Sequence, residues 1–230
     1  MRMDDKKAAK RMIWILVFLL ALILSLTAWN LLSKKTEEET AERAYWTTAQ
    51  KIASANSIEI VHDYIPLSSP RRPGEIREIR YIIIHETDNR SAGANAAAHS
   101  ALLLGNTEDT TSWHYTVDDH SIYHHIPDNE ISWNAGDNKT ADGGNQNGIA
   151  IEMCVNIGND YAKTLENTAA LTAELMKAYD LTLDDVRLHQ DFSGKICPHR
   201  LITEGRVQEF YQMIKDDFTA LSVEETPDVK

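Results

Sequence analysis

The sequence predicts a mixed α/β (α+β) domain, in which a mixed central β-sheet is flanked by helices on both faces, preceded by one transmembrane helix. Three observations carry this. The runs Arg80-Tyr81-Ile82-Ile83-Ile84 and Ile149-Ala150-Ile151-Glu152-Met153-Cys154-Val155 are nearly continuous in apolar residues, as strands buried on both faces are. Between them, residues 113–117 and 122–126 flank Asp118-Asp119-His120-Ser121 as a hairpin, which brings antiparallel pairing into the sheet. Residues 12–32 carry no charge at all.

In chain order, residues 1–11 form a basic cytoplasmic tail, with five cations, Arg2, Lys6, Lys7, Lys10 and Arg11, against Asp4 and Asp5. Residues 12–32 supply the roughly 20 apolar residues a helix needs to cross a bilayer core, with Trp14 and Trp29 placed for the two interfaces. A cleaved signal is the rival reading, but the run is long for a signal core and no small-x-small cleavage site follows it. Only Lys34 and Lys35 follow the span, so the charge bias puts the N-terminus in the cytoplasm and the rest outside the cell membrane. Residues 33–56 are polar and rich in helix formers, a stalk helical to about Ala53.

The catalytic body is expected at 57–221, a length that buries one good-sized core. Residues 57–62 read as its first strand and 66–74, with three prolines, as a surface loop. The alanine-rich stretch 92–104 reads as a helix stopped by Gly105, with His99 facing solvent or packing. Glycine and asparagine crowd 134–148, a long, mobile loop of the kind that tends to be functional. A helix follows at 165–179, then a short strand at 185–188 that delivers His189. A closing helix at 204–221 buries Val207, Phe210, Tyr211, Ile214 and Phe218. Residues 222–230 form a frayed tail.

Chemistry concentrates at 188–200, where His189, Lys195 and Cys197 share a short loop. Imidazole and thiolate are good Zn²⁺ ligands, and three protein ligands with one free position describe a catalytic site. His85 ends an apolar strand, where α/β folds place ligands, and is the natural third ligand for one zinc per chain. Glu152 is a carboxylate within an apolar strand, where charge is unfavourable unless used or paired; alternation alone does not say which face it takes. Cys154 reads as a small buried hydrophobe, and with two cysteines no disulfide framework is possible. The net charge is −12, with +3 on the first 32 residues and −15 on the rest, which excludes a phosphate-neutralising, nucleic-acid-binding surface.

Four motifs in order, Ile82-Ile83-Ile84-His85-Glu86-Thr87, Trp133-Asn134-Ala135-Gly136-Asp137, Ile151-Glu152-Met153-Cys154 and His189-Gln190-Asp191 through Lys195-Ile196-Cys197-Pro198, resemble the zinc N-acetylmuramoyl-L-alanine amidases. This family is shared by phage endolysins and peptidoglycan recognition proteins, and the likeness covers roughly 58–215. It implies cleavage of the amide between N-acetylmuramic acid and L-alanine of the peptidoglycan stem peptide. Glu152 matches the catalytic glutamate of the endolysin branch and Lys195 the lysine that stabilises the oxyanion. Where some relatives have a tyrosine in the hairpin this chain has Trp113, which favours the Glu152 version of the mechanism. Where many have histidine after the motif tryptophan it has Asn134, so a substrate contact there is a neutral amide; Trp133 is a candidate wall for a sugar ring. His114, His124, His125 and His199 fall where the family has no metal ligands. The free nitrogen of His189 is expected to be held by Asp191 or by a backbone carbonyl. The implied partners are peptidoglycan and, through residues 12–32, the lipid bilayer, with the chain a monomer. The rivals are a non-catalytic peptidoglycan-binding receptor and a zinc hydrolase of another stem-peptide amide.

Overall fold

The computed structural model describes residues 3–224, so Arg2 of the basic tail and residues 225–230 of the expected C-terminal tail lie outside the described residues. The chain divides into two compact units, the second starting at Thr48.

The described residues of the first unit all lie in one helix, α1 (Met3–Ala49), whose last two residues belong to the second. Leucine, alanine and lysine dominate it, and the hydroxyls of Ser25, Thr27, Thr36, Thr40 and Thr47 donate to carbonyls three or four residues earlier. The side chains of 12–32 are exposed in this unit, and α1 is long and apolar enough to cross a membrane by length and composition. It runs without a break through the segments expected as span and stalk, ending at Ala49 rather than near Ala53.

The second unit is built on a seven-stranded sheet. Its strands are β1 (Ser54–Ala55), β2 (Ile58–His62), β3 (Tyr81–Glu86), β4 (Tyr115–Val117), β5 (Ile122–His124), β6 (Gly148–Met153) and β7 (Val186–Leu188), in the order β1-β2-β5-β4-β6-β3-β7. The β4/β5 hairpin and the β1/β2 pair are antiparallel, and the remaining pairs are parallel. The mixed sheet thus follows from the hairpin inserted between two apolar strands.

Alternation along the strands divides the core. Ile82 and Ile84 of β3, Ile149, Ile151 and Met153 of β6, and Tyr115 and Val117 of β4 pack with Leu165, Ala169 and Leu175 of α4 (Tyr161–Tyr179) and Phe210 and Ile214 of α7 (Val207–Glu224). On the other face, Ala150 packs with Ile65, Trp113, Ile126 and Leu103 of α2 (Ala96–Leu104). Ile82, Ile83 and Ile84 are all fully buried, each contributing about 1.5–3 kcal/mol, so packing from both sides fixes β3.

Caps set the helix boundaries. Asn95 accepts from Ala98 N–H, so α2 starts four residues later than the alanine content suggests; Asp160 accepts from Ala162 and Lys163, so α4 starts at Tyr161. The 134–148 segment is more ordered in its contacts than a loop of glycines and asparagines suggests. It contains a helical turn, α3 (Gly144–Asn147), and Asp137 accepts from the N–H groups of Gly144 and Asn145.

Candidate active site

Parallel pairing of β3 with β6 sets His85 opposite Glu152, and β4 sets Thr116 against the other side of Glu152. By alternation His85 and Glu152 lie on the face that packs α2, away from α4 and α7; this settles the question that the sequence left open. β7 leads into His189, whose N–H donates to the Ile84 carbonyl. The loop after it closes on itself through Gln190 N–H to the Cys197 carbonyl, which returns the thiol to β3.

His85, His189 and Cys197 are all buried, and their ligand atoms lie within 4.8 Å of one another. Cys197 Sγ is 3.9 Å from His85 Nδ1, and the two imidazole centroids are 4.6 Å apart. Sulfur and nitrogen on one tetrahedral zinc are about 3.5 Å apart, from bond lengths near 2.3 and 2.0 Å, so the set needs only a small contraction. His189 Nδ1 and Glu152 Oε2 are buried without a hydrogen-bond partner, which a ligand would satisfy. The donor set therefore fits zinc.

The electrostatics suit ligands waiting for a cation. Burial, then the neighbouring His189, holds His85 well below the usual imidazole range, so the ring is neutral. Burial and the nearby Glu152 push the Cys197 thiol up to about 12; a cation must displace its proton on binding. Glu152 Oε1 lies 3.9 Å from His85 Nδ1. Burial pushes the Glu152 carboxyl up to about 8, Glu86 and Asp88 reinforce this, and the charge of the exposed Lys195 opposes it. The charge of Lys195 also lowers His85 and His189.

The orienting contacts come from the 134–148 segment. The Ala135 backbone, and not Asp191, favours a proton on the His189 ring; Asp191 accepts instead from Leu188 N–H at 2.9 Å. Ala135 reaches that position because Gly136 has φ +70° and approaches Ser193 so closely that a Cβ would come within 3.3 Å of it. Asn145 Oδ1 accepts from the N–H groups of both Asn134 and Ala135, each at 2.8 Å. The Asn134 amide donates to Ser132 Oγ at 2.8 Å, and its side chain favours a proton on His85, a candidate ligand. The half-buried Trp133 has the Lys139 ammonium over its ring, 5.8 Å from the centroid.

The other histidines are structural or peripheral. His99 is buried beside Trp113, His124 stacks on Tyr115 and its Nε2 lies 3.3 Å from Asp128, His125 bonds Thr116, and His199 is exposed. Cys154 packs as the small hydrophobe expected, with its thiol shifted upward by burial. Asp118, Asp119 and His120 also approach one another, but Asp118 is committed to the backbone of Ala96, His120 and Ser121. Sequence reasoning gave no role to Glu86, Ala135, Gly136 and Asp137, although all four stand in its motifs, and it missed Asn145. Glu86 had a further signal, a second carboxylate at the end of an apolar strand.

Residues 75–200 match the family described as N-acetylmuramoyl-L-alanine amidase. The chain is 43% identical over 145 residues to the N-acetylmuramoyl-L-alanine amidase XlyA of Bacillus subtilis (strain 168), covering 63% of this chain and 48% of the relative. It is 41% identical, again over 145 residues, to CwlH of the same organism, covering 63% and 57%. The chain thus spans about half the length of these curated relatives. The solved catalytic domain of XlyA superposes with a TM-score of 0.65 at 41% identity, covering 68% of this chain and 99% of that one.

Proposed function

The chain belongs to the N-acetylmuramoyl-L-alanine amidase family, and from that premise we propose that it is a zinc-dependent peptidoglycan hydrolase held at the membrane by α1. It cleaves the amide between N-acetylmuramic acid and the L-alanine of the stem peptide. The observation that carries this is the convergence of His85, His189 and Cys197 beside Glu152 on one face of the sheet.

His85, His189 and Cys197 would hold the metal. Bound zinc supplies Lewis acidity to the scissile carbonyl, lowers the pKa of water towards about 7 and favours the carboxylate form of Glu152. Glu152 takes the proton from the attacking water and returns it to the departing nitrogen; burial raises its carboxyl and a neighbouring cation opposes that rise, which suits a group that must both take up and give back a proton. Lys195 presents its ammonium to the oxyanion that develops on the carbonyl. Asn134 steadies His85 and, with Trp133, borders the substrate. The apolar span carries α1 across the bilayer with the N-terminus inside, so the second unit works as a monomer on the wall side.

The test is made on the full chain in detergent micelles, measuring zinc content and release of N-terminal alanine from purified peptidoglycan, for the parent and for Glu152→Ala. One zinc per chain, with alanine ends from the parent and almost none from the variant, is expected. Zinc with glycan binding but no release would overturn the enzymatic reading, and release of other amino termini would move the cleaved bond.

A further inference from the structure

Glu86 follows His85 but points to the opposite face of the sheet, where it is buried and meets Tyr161 of α4. A buried carboxylate is costly unless its oxygens are hydrogen-bonded, and here both accept. Oε2 accepts from Arg200 N–H at 2.6 Å, and Oε1 accepts from Leu201 N–H at 3.0 Å and from the Tyr161 hydroxyl. Its backbone carbonyl faces Cys197 Sγ at 4.0 Å. Arg200 and Leu201 open the short helix α6 (His199–Thr203), which begins two residues after Cys197. The Arg200 guanidinium lies over the Tyr161 ring, 4.0 Å from its centroid, and closes the cluster from outside.

We infer that Glu86 is a positioning residue that clamps the Cys197 segment to the strand carrying His85, and so sets the separation of two metal ligands that are 112 positions apart in the chain. The inference rests on the reading of His85, His189 and Cys197 as the ligand set. Neither residue flanking the clamp can replace it. Pro198 has no N–H to donate, and the Gln190 bond fixes Cys197 to its own loop and not to β3. Charge-assisted bonds from two backbone N–H groups hold the segment more tightly than neutral ones would. Glu86 cannot serve as a second general base while its oxygens face these three donors, which leaves that role to Glu152.

Glu86→Gln is the informative change, because either orientation of the amide turns an NH₂ group towards an N–H or O–H donor while the volume is kept. Tyr161→Phe removes one donor and leaves the charge, and it carries the test if Glu86→Gln fails to fold. The full chain in detergent micelles is stripped of metal and titrated with Co²⁺, following the thiolate-to-cobalt absorption, and Zn²⁺ affinity is measured by competition with a chromophoric chelator. Loss of an outer contact to a metal site typically weakens affinity about 10–100-fold, and that is expected for Glu86→Gln, with a smaller loss for Tyr161→Phe and a shifted thiolate band in both. A purely structural role would lower the melting temperature of the metal-free chain and leave affinity and spectrum at parental values; that outcome overturns the inference. If the parent itself shows no thiolate band, the ligand assignment falls first and the clamp falls with it.

Discussion

Glu152 shows how one residue's role depends on its surroundings. A glutamate facing water would be fully ionised at neutral pH and a weak proton donor, whereas burial beside His85 raises this carboxyl to about 8. Glu152→Gln keeps the shape and removes the proton exchange, so we expect turnover of peptidoglycan to fall by about 10²–10⁴-fold with the zinc content unchanged. Cys197→Ser replaces a soft ligand with a poor one and should lose the metal as well as the activity, so elemental analysis separates the two variants. Trp133→Ala tests the weaker assignment: a rise in KM with kcat unaltered is expected if the ring borders the sugar, and parental kinetics would remove it from the substrate site.

At the scale of elements, strand register does what no single side chain can. His85 and Glu152 come together because β3 and β6 are parallel and in register, and a slip of β6 by one residue would send Glu152 to the α4 face, away from His85. The 134–148 segment is the second such element. It reads as loose in sequence, yet Asp137 and Asn145 tie it internally and bring the Ala135 backbone to the His189 ring. Asn145→Ala would leave two buried N–H groups without their acceptor, each costing about 1–3 kcal/mol. A lower melting temperature, together with weaker zinc binding from the unsupported His189, is the expected result, and chelator competition measures the second effect.

For the whole molecule, two properties are open to test. If residues 12–32 form an anchor, the chain stays in the membrane fraction after high-salt washing and leaves it only with detergent; a shortened soluble chain would mean that the segment is a cleaved signal. The second property is acid sensitivity. His114 accepts from Ala150 N–H through Nδ1, donates to the Glu130 carbonyl through Nε2 and lies beside Arg77, so burial and that cation hold it neutral down to about 3. His125 is likewise lowered to about 3. Unfolding lets both rings take protons below pH ~6.5, so their contribution to stability is full above that value and falls as the pH drops towards 3, as does that of His85, while the raised Glu152 carboxyl acts in the opposite sense. Each ring contributes a slope approaching about 1.4 kcal/mol per pH unit, and denaturant titrations of metal-free parent and His114→Gln at pH 7 and 5 isolate the share of His114. His114→Gln should flatten that slope.

Chemical identity and apolar patterning alone determined much of this protein. The apolar runs at 82–84 and 149–151, the hairpin between them and the rarity of His, Cys and Glu at strand ends pointed to the sheet and to His85, His189 and Cys197 as candidate ligands with Glu152, because side-chain periodicity and ligand chemistry are local properties. Three things were decided only by the tertiary structure: the face that Glu152 takes, the choice of the Ala135 backbone over Asp191, and the clamp at Glu86. Each depends on register and on partners distant in the chain, and a polar side chain such as Asn145 or Glu86 has the same local signature whether it faces water or a buried N–H.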